Sequence, residues 1–170
     1  MWKHQVHWDE RGFLVRLFED DWLGHGEGLS IQQVNVTETT AAGMVRGLHV
    51  QLPPSSEWKL VTCLQGKVYD VVADLRHTSP TFGHWDSLVL SGETPETVVI
   101  PPGCAHGFQA LTDHARLLYL HTDEYHPQQQ GRLNPLSSDL GINWPLPVLL
   151  MSEADRLASG NLAEWRRLRW

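Results

Sequence analysis

An all-β fold, a sandwich or barrel of short strands, is what these 170 residues predict, on three observations. Short apolar runs recur between turn-forming clusters such as His77-Thr78-Ser79-Pro80 and Ser91-Gly92-Glu93-Thr94-Pro95. The run Val68-Tyr69-Asp70-Val71-Val72-Ala73-Asp74 alternates imperfectly and is apolar on both faces, as a strand inside a closed sheet is. Helical patterning is confined to the C-terminal end.

Taken in order, the predicted strands are Gly12–Phe18, Ser30–Val36, Leu60–Cys63, Val68–Leu75, Ser87–Leu90, Thr97–Ile100 and Arg116–His121. Ser152 is placed to cap a helix through Glu153-Ala154-Asp155-Arg156-Leu157, with a carboxylate in its first turn. A second helical stretch is expected from Asn161 to Trp170. There is no internal repeat, low-complexity tract or linker, so one domain is expected over 1–170. Its core spans about 8–150, followed by a helical tail at 151–170.

Composition narrows the function classes. Apolar residues make up 41% of the chain, enough for a buried core, yet no run approaches the ~20 needed to cross a bilayer. Met1-Trp2-Lys3-His4-Gln5 lacks the apolar stretch of a secretory signal, so a cytoplasmic location and no membrane partner are expected. The net charge is -7 and Lys and Arg are dispersed until a short C-terminal cluster, which argues against a nucleic-acid surface. An anionic ligand would need individual cationic side chains. Cys63 and Cys104 sit in apolar surroundings and read as buried, reduced thiols. Eight tryptophans are available for core, interface or ring stacking.

Four segments carry chemistry: Gly43-Met44-Val45-Arg46-Gly47-Leu48-His49-Val50-Gln51 with the later Lys59; Gly66 to Arg76 running on into Ser79-Pro80-Thr81-Phe82-Gly83; Ile100-Pro101-Pro102-Gly103-Cys104-Ala105-His106-Gly107-Phe108; and Leu118-Tyr119 with Thr122-Asp123-Glu124-Tyr125. The Pro-x-Gly-x-x-His of the third resembles the second motif of cupins, small jelly-roll β-barrels with an internal site. Metal-binding cupins pair it with His-x-His, but here that place reads His49-Val50-Gln51. Gln is a poor substitute for imidazole, so no metal is expected even with Glu57, His84 and His106 present.

Arg46-Gly47-Leu48-His49-x-Gln51, Lys59-Leu60-Val61, Asp70-Val71, Asp74-Leu75-Arg76, Ser79 to Gly83 and Pro102-Gly103-x-Ala105-His106-Gly107-Phe108 together resemble the dTDP-4-dehydrorhamnose 3,5-epimerase family. Asp9-Glu10-Arg11-Gly12-Phe13 and Gly141-Ile142-Asn143-Trp144-Pro145 extend the likeness to roughly residues 8–156, in family order. The resemblance implies a homodimeric, cofactor-free enzyme of deoxysugar and polysaccharide biosynthesis. Its substrate would be a nucleotide-diphosphate 4-keto-6-deoxyhexose, inverted at C3 and C5 through an enolate. It further implies His49 as base, Asp155 as its carboxylate partner, Tyr119 as acid and Lys59 beside the C4 oxygen. Arg46 and Arg11 are the candidates for the diphosphate. Gln33, Asn35, Gln51, His106 and Asp70 are expected in or beside the pocket.

Alternatives stand beside these readings. Tyr125 competes with Tyr119 for the acid role, and Asp155 also suits a helix's first turn without any catalytic task. Asp70 and Asp74 share a strand face, where one can be a structural acceptor. His4, His7, His25 and His126 read as surface residues. Arg16 and Leu133-Asn134-Pro135-Leu136-Ser137-Ser138 depart from the family pattern where sugar and nucleotide should lie. Competing functions are a single-centre epimerase, or one acting on a CDP- or GDP-sugar. A metal-dependent cupin oxygenase or isomerase and a non-catalytic sugar-nucleotide binder are the other classes.

Overall fold

Two antiparallel five-stranded sheets face one another in the computed structural model, which describes residues 1–19 and 30–167. The first has the order β1 (Trp2–Lys3), β9 (Glu96–Ile100), β6 (Lys59–Gln65), β11 (Ala115–His121), β4 (Gln33–Thr39). The second has the order β12 (Gln130–Arg132), β5 (Val45–Gln51), β10 (Cys104–Ala110), β7 (Lys67–Asp74), β8 (Trp85–Ser91). A separate hairpin joins β2 (Val6–Asp9) to β3 (Gly12–Val15). Between β4 and β11 only β7 and β8 follow each other within one sheet, so the chain stitches the two layers together in jelly-roll fashion.

Period-two alternation gives each sheet an inner and an outer face. Inward-facing Val61, Cys63 and Leu117 of the first sheet meet Val68, Leu90, Cys104 and Phe108 of the second in one apolar cluster. Both thiols are buried and unpaired, as expected. A second cluster lies on the outer face of the second sheet, where Leu48, Val50, Val71, Ala73 and Ala105 pack under Leu133, Leu140 and Trp165. Gly131 lets this layer close, because a Cβ there would lie 2.6 Å from the Trp165 ring. Gly47 (φ +104°) and Gly107 bring β5 against β10, since a Cβ on Gly47 would meet the Gly107 Cα at 2.6 Å.

The predicted strands lie where β3, β4, β6, β7, β8, β9 and β11 are found, with shifted ends; the first stops at Val15, and the second begins at Gln33. The C-terminal prediction holds at α1 (Glu153–Leu157), whose N-cap Ser152 Oγ accepts from the Asp155 N–H at 3.1 Å. The second helix, α2 (Leu162–Trp165), is capped by Asn161 and is shorter than expected; residues 168–170 of that expected stretch, and His25, lie outside the described residues. Strands β5 and β10 were read only as motifs, because glycine and polar residues dilute their alternation.

Candidate active site

Beside the inner apolar cluster, which contributes Phe108 to its wall, the sheets part around a cleft of about 750 Å³. Its walls follow from strand alternation. His49 and Gln51 face inward from β5, Lys59 from β6, His106 from β10, Tyr119 and His121 from β11, and Gln33, Asn35, Thr37 and Thr39 from β4.

His49 is paired with Asp155. Strand β12 covers only the second half of β5, and residues 149–155 take up the rest of that edge, with Val45 N–H donating to the Leu150 carbonyl. The α1 helix then delivers Asp155, whose Oδ1 stands 2.7 Å from His49 Nε2 and whose Oδ2 accepts from Gly47 N–H at 3.4 Å. Asp155 is buried, and burial alone would raise its carboxyl. Hydrogen bonds from His49, Ser152 and Arg132 together with the His49 charge outweigh that and bring it down to about 2. With Nε2–H donated to Asp155, the lone pair of the neutral ring is on Nδ1. Arg132 Nη1 bonds the same Asp155 oxygen at 3.1 Å and lies 3.4 Å from His49 Nε2.

Opposite them, on the first sheet, Lys59 Nζ lies 3.6 Å from Glu57 Oε1, and Glu57 Oε2 lies 2.8 Å from His121 Nδ1. Burial depresses the Lys59 ammonium, while the charges of Glu57 and Asp70 act to raise it. The Tyr119 ring sits between two imidazoles, edge-on to His106 at 6.0 Å and stacked on His121 at 6.1 Å. Burial, reinforced by the Asp70 charge, raises its phenol well above the usual tyrosine range, so Tyr119 holds its proton. His106 Nε2 pairs with Asp70 Oδ2 at 2.7 Å, both buried, and Asp70 Oδ1 has no hydrogen-bond partner among the described residues.

The other predicted positions divide. Arg46 stands at the exposed rim, donating to Thr39 Oγ1 at 3.0 Å and to the Glu38 carbonyl. Gln33 accepts from Tyr125 N–H, and Gln51 holds the same loop by donating to the Glu124 carbonyl and accepting from His126 N–H. Asn35 Nδ2 lies 3.4 Å from His121 Nε2. Arg11 is not among the cleft residues; it projects from the exposed β2–β3 hairpin, tied to Asp9 at 2.6 Å. The competing Tyr125 is half exposed, its hydroxyl donating to Gln130 Oε1. Asp74 is the structural member of the Asp70/Asp74 pair: Arg76, Ser79 and Thr81 all donate to it, holding its carboxyl far below the usual range. His4 is half-buried and bonded to Thr97 Oγ1 rather than lying free at the surface.

Sequence reasoning assigned no role to His121 or Arg132, and considered Glu57 only as a metal ligand. The two-residue spacing from Tyr119 was the available signal for His121, since it puts both on one face of β11. Arg132 gave no signal, because its partners Asp155 and His49 are 23 and 83 residues away and its near partner, Gln130, is a neutral amide. Among the described residues no group of three or more His, Cys, Asp or Glu is gathered closely enough to hold a metal ion.

A family model described as dTDP-4-dehydrorhamnose 3,5-epimerase matches residues 1–162. The dTDP-4-dehydrorhamnose 3,5-epimerase of Mycobacterium tuberculosis is 39% identical over 176 residues, covering 95% of this chain and 86% of its own. A dTDP-4-dehydrorhamnose 3-epimerase from Streptomyces niveus is 36% identical, covering 87% of this chain and 72% of its own. The crystal structure of a dTDP-6-deoxy-D-glucose-3,5-epimerase from Legionella pneumophila in complex with dTDP-4-keto-L-rhamnose superposes with a TM-score of 0.88 at 37% identity, over 99% of this chain and 91% of that one.

Proposed function

The chain belongs to the dTDP-4-dehydrorhamnose 3,5-epimerase family, and from that premise we propose that it inverts C3 and C5 of a dTDP-linked 4-keto-6-deoxyhexose. The observation that carries the reading is the arrangement of ionisable groups in one cleft. A histidine–carboxylate pair lines one side, and a buried lysine and a protonated phenol line the other.

The C4 ketone acidifies the hydrogens on C3 and C5, because the carbanion left behind delocalises onto the ketone oxygen. In the proposed mechanism His49 removes the proton, and Asp155 fixes its tautomer and stabilises the imidazolium. The Lys59 ammonium offsets the charge developing on the C4 oxygen. Tyr119 returns a proton to the opposite face, which inverts the centre. One proton leaves and one returns, so the reaction balances without a redox partner. His106, backed by the enclosed Asp70, walls the sugar pocket, Arg46 takes the diphosphate at the rim, and Gln33, Asn35 and Gln51 shape the side towards β4.

We further propose a homodimer. Val34 and Val36 on β4, an edge strand among the described residues, are 57% and 59% exposed, and Trp8, Phe13 and Leu14 on the nearby-in-sequence hairpin are exposed as well. Two copies joined through these surfaces would cover them, and Arg11 is proposed as a diphosphate ligand only within such a dimer. The single-domain organisation and a cytoplasmic location belong to the same proposal, since the charged nucleotide substrate does not cross membranes unaided.

Proton NMR of dTDP-4-keto-6-deoxyglucose in heavy water with catalytic protein tests the reading. Loss of both H3 and H5 signals is the expected result. Loss of one alone makes the protein a single-centre enzyme, the activity named for the Streptomyces relative, and loss of neither overturns the proposal.

A further inference from the structure

Among the described residues, three histidine–carboxylate pairs present their imidazole to the cleft, and the proposed mechanism uses only two of them. His49–Asp155 is the base, and His106, held from behind by Asp70, is a wall of the sugar pocket. The third, His121–Glu57, has no role in that chemistry although it is as enclosed as Lys59: the side chains of Lys59, Glu57 and His121 are 12%, 10% and 12% exposed.

We infer that Glu57, oriented by His121, is a positioning residue that keeps the Lys59 ammonium charged and aimed at the ketone oxygen of the substrate. The inference rests on the role of Lys59 proposed above.

The contacts form a string across the first sheet. Asn35 Nδ2, on β4, stands 3.4 Å from His121 Nε2; an amide N–H there needs an acceptor, which places the imidazole proton on Nδ1. That Nδ1–H donates to Glu57 Oε2 at 2.8 Å, and the other oxygen, Oε1, is left for Lys59 Nζ at 3.6 Å. His121 is itself held flat against Tyr119. A buried ammonium without an opposite charge tends to lose its proton, and a neutral amine cannot stabilise an enolate. The ionisable groups around Lys59 are Glu57 ahead of β6, Asp70 on β7, His106 and Cys104 on β10, Tyr119 and His121 on β11, and His49 on β5. Glu57 is the ion-pair partner of the lysine, and its charge is the largest of the effects that oppose burial there.

The test is Glu57→Gln, which keeps the shape and an oxygen for His121 but removes the charge. H3 and H5 exchange of dTDP-4-keto-6-deoxyglucose is measured against pH for this variant, Glu57→Asp, His121→Phe and Lys59→Met, with thermal unfolding of each to confirm folding. The inference predicts that in Glu57→Gln the alkaline fall in exchange moves down by about one pH unit or more, since an opposite charge at this range shifts a titration by about one to three units. It also predicts a loss in kcat with KM little changed, partial restoration in Glu57→Asp, and an intermediate profile in His121→Phe. Tyr119 cannot mimic the shift, because its phenol titrates far above this range. A Glu57→Gln profile that superposes on the parent, or is scaled down equally at every pH, overturns the inference. If Lys59→Met exchanges both protons at the parent rate, the role of Lys59 itself falls, a separate failure from an unmoved profile in Glu57→Gln.

Discussion

Asp155→Asn removes one charge from the base pair while keeping its shape. In the folded protein this carboxyl is brought from an ordinary 3.8 down to about 2. The difference, 3.8 minus 2, is a little under two units, and at about 1.36 kcal/mol per unit it corresponds to about 2 kcal/mol favouring the ionised, folded form. Because the folded value is the lower one, that stability is fully present above about pH 4 and is lost as the pH falls through about 2. Urea unfolding followed from pH 7 downward should therefore find the variant about 2 kcal/mol less stable at pH 7, with the gap closing between pH 4 and 2. The His49 part of that effect also acts on the imidazolium formed during proton abstraction, so a loss of up to about 2 kcal/mol in transition-state stabilisation, or up to about 30-fold in exchange, is expected. A stability gap that stays constant down to pH 2 would refute the reasoning, because the cost would then come from packing rather than charge. Parent-level exchange in the variant would refute the catalytic half alone.

His49→Ala is expected to lower H3 and H5 exchange by about 10²- to 10⁴-fold while dTDP binding, measured by calorimetry, is largely retained. Tyr119→Phe should slow net inversion more than the first exchange event, seen by comparing product stereochemistry with deuterium uptake; equal losses would move the acid role to Tyr125. Gly131→Ala should cost about 1–3 kcal/mol in thermal unfolding, since the new methyl lies 2.6 Å from the Trp165 ring and 3.0 Å from Val50 Cγ1 and must push a buried indole aside.

Much of the first sheet could be read from the chain because its strands are short apolar runs between turn-forming clusters; Leu60–Cys63 and Arg116–His121 both fall inside observed strands. Strands β5 and β10 escaped because close approach of their backbones demands Gly47 and Gly107, which are poor strand formers and break the apolar period. The base, lysine and phenol positions were legible as motif residues, and the Ser152 cap was legible as local chemistry. The Glu57–His121 pair and Arg132 were not, since 64 residues separate the first two and 23 separate Arg132 from Asp155. Such contacts exist only after the sheets close, and no local pattern encodes them.

The open half of the β5 edge, filled by residues 149–155, bears on the order in which activity can arise. Both sheets are complete by residue 132, yet the carboxylate that partners His49 arrives 23 residues later in the chain. During synthesis, therefore, all the strands, with lysine, phenol and imidazole on them, are available before the base has its counter-charge. Switching on this enzyme is a late docking event of its biogenesis. Damage to the tail, by proteolysis or a premature stop, would remove both the counter-charge of the base and the Trp165 cover of the outer core.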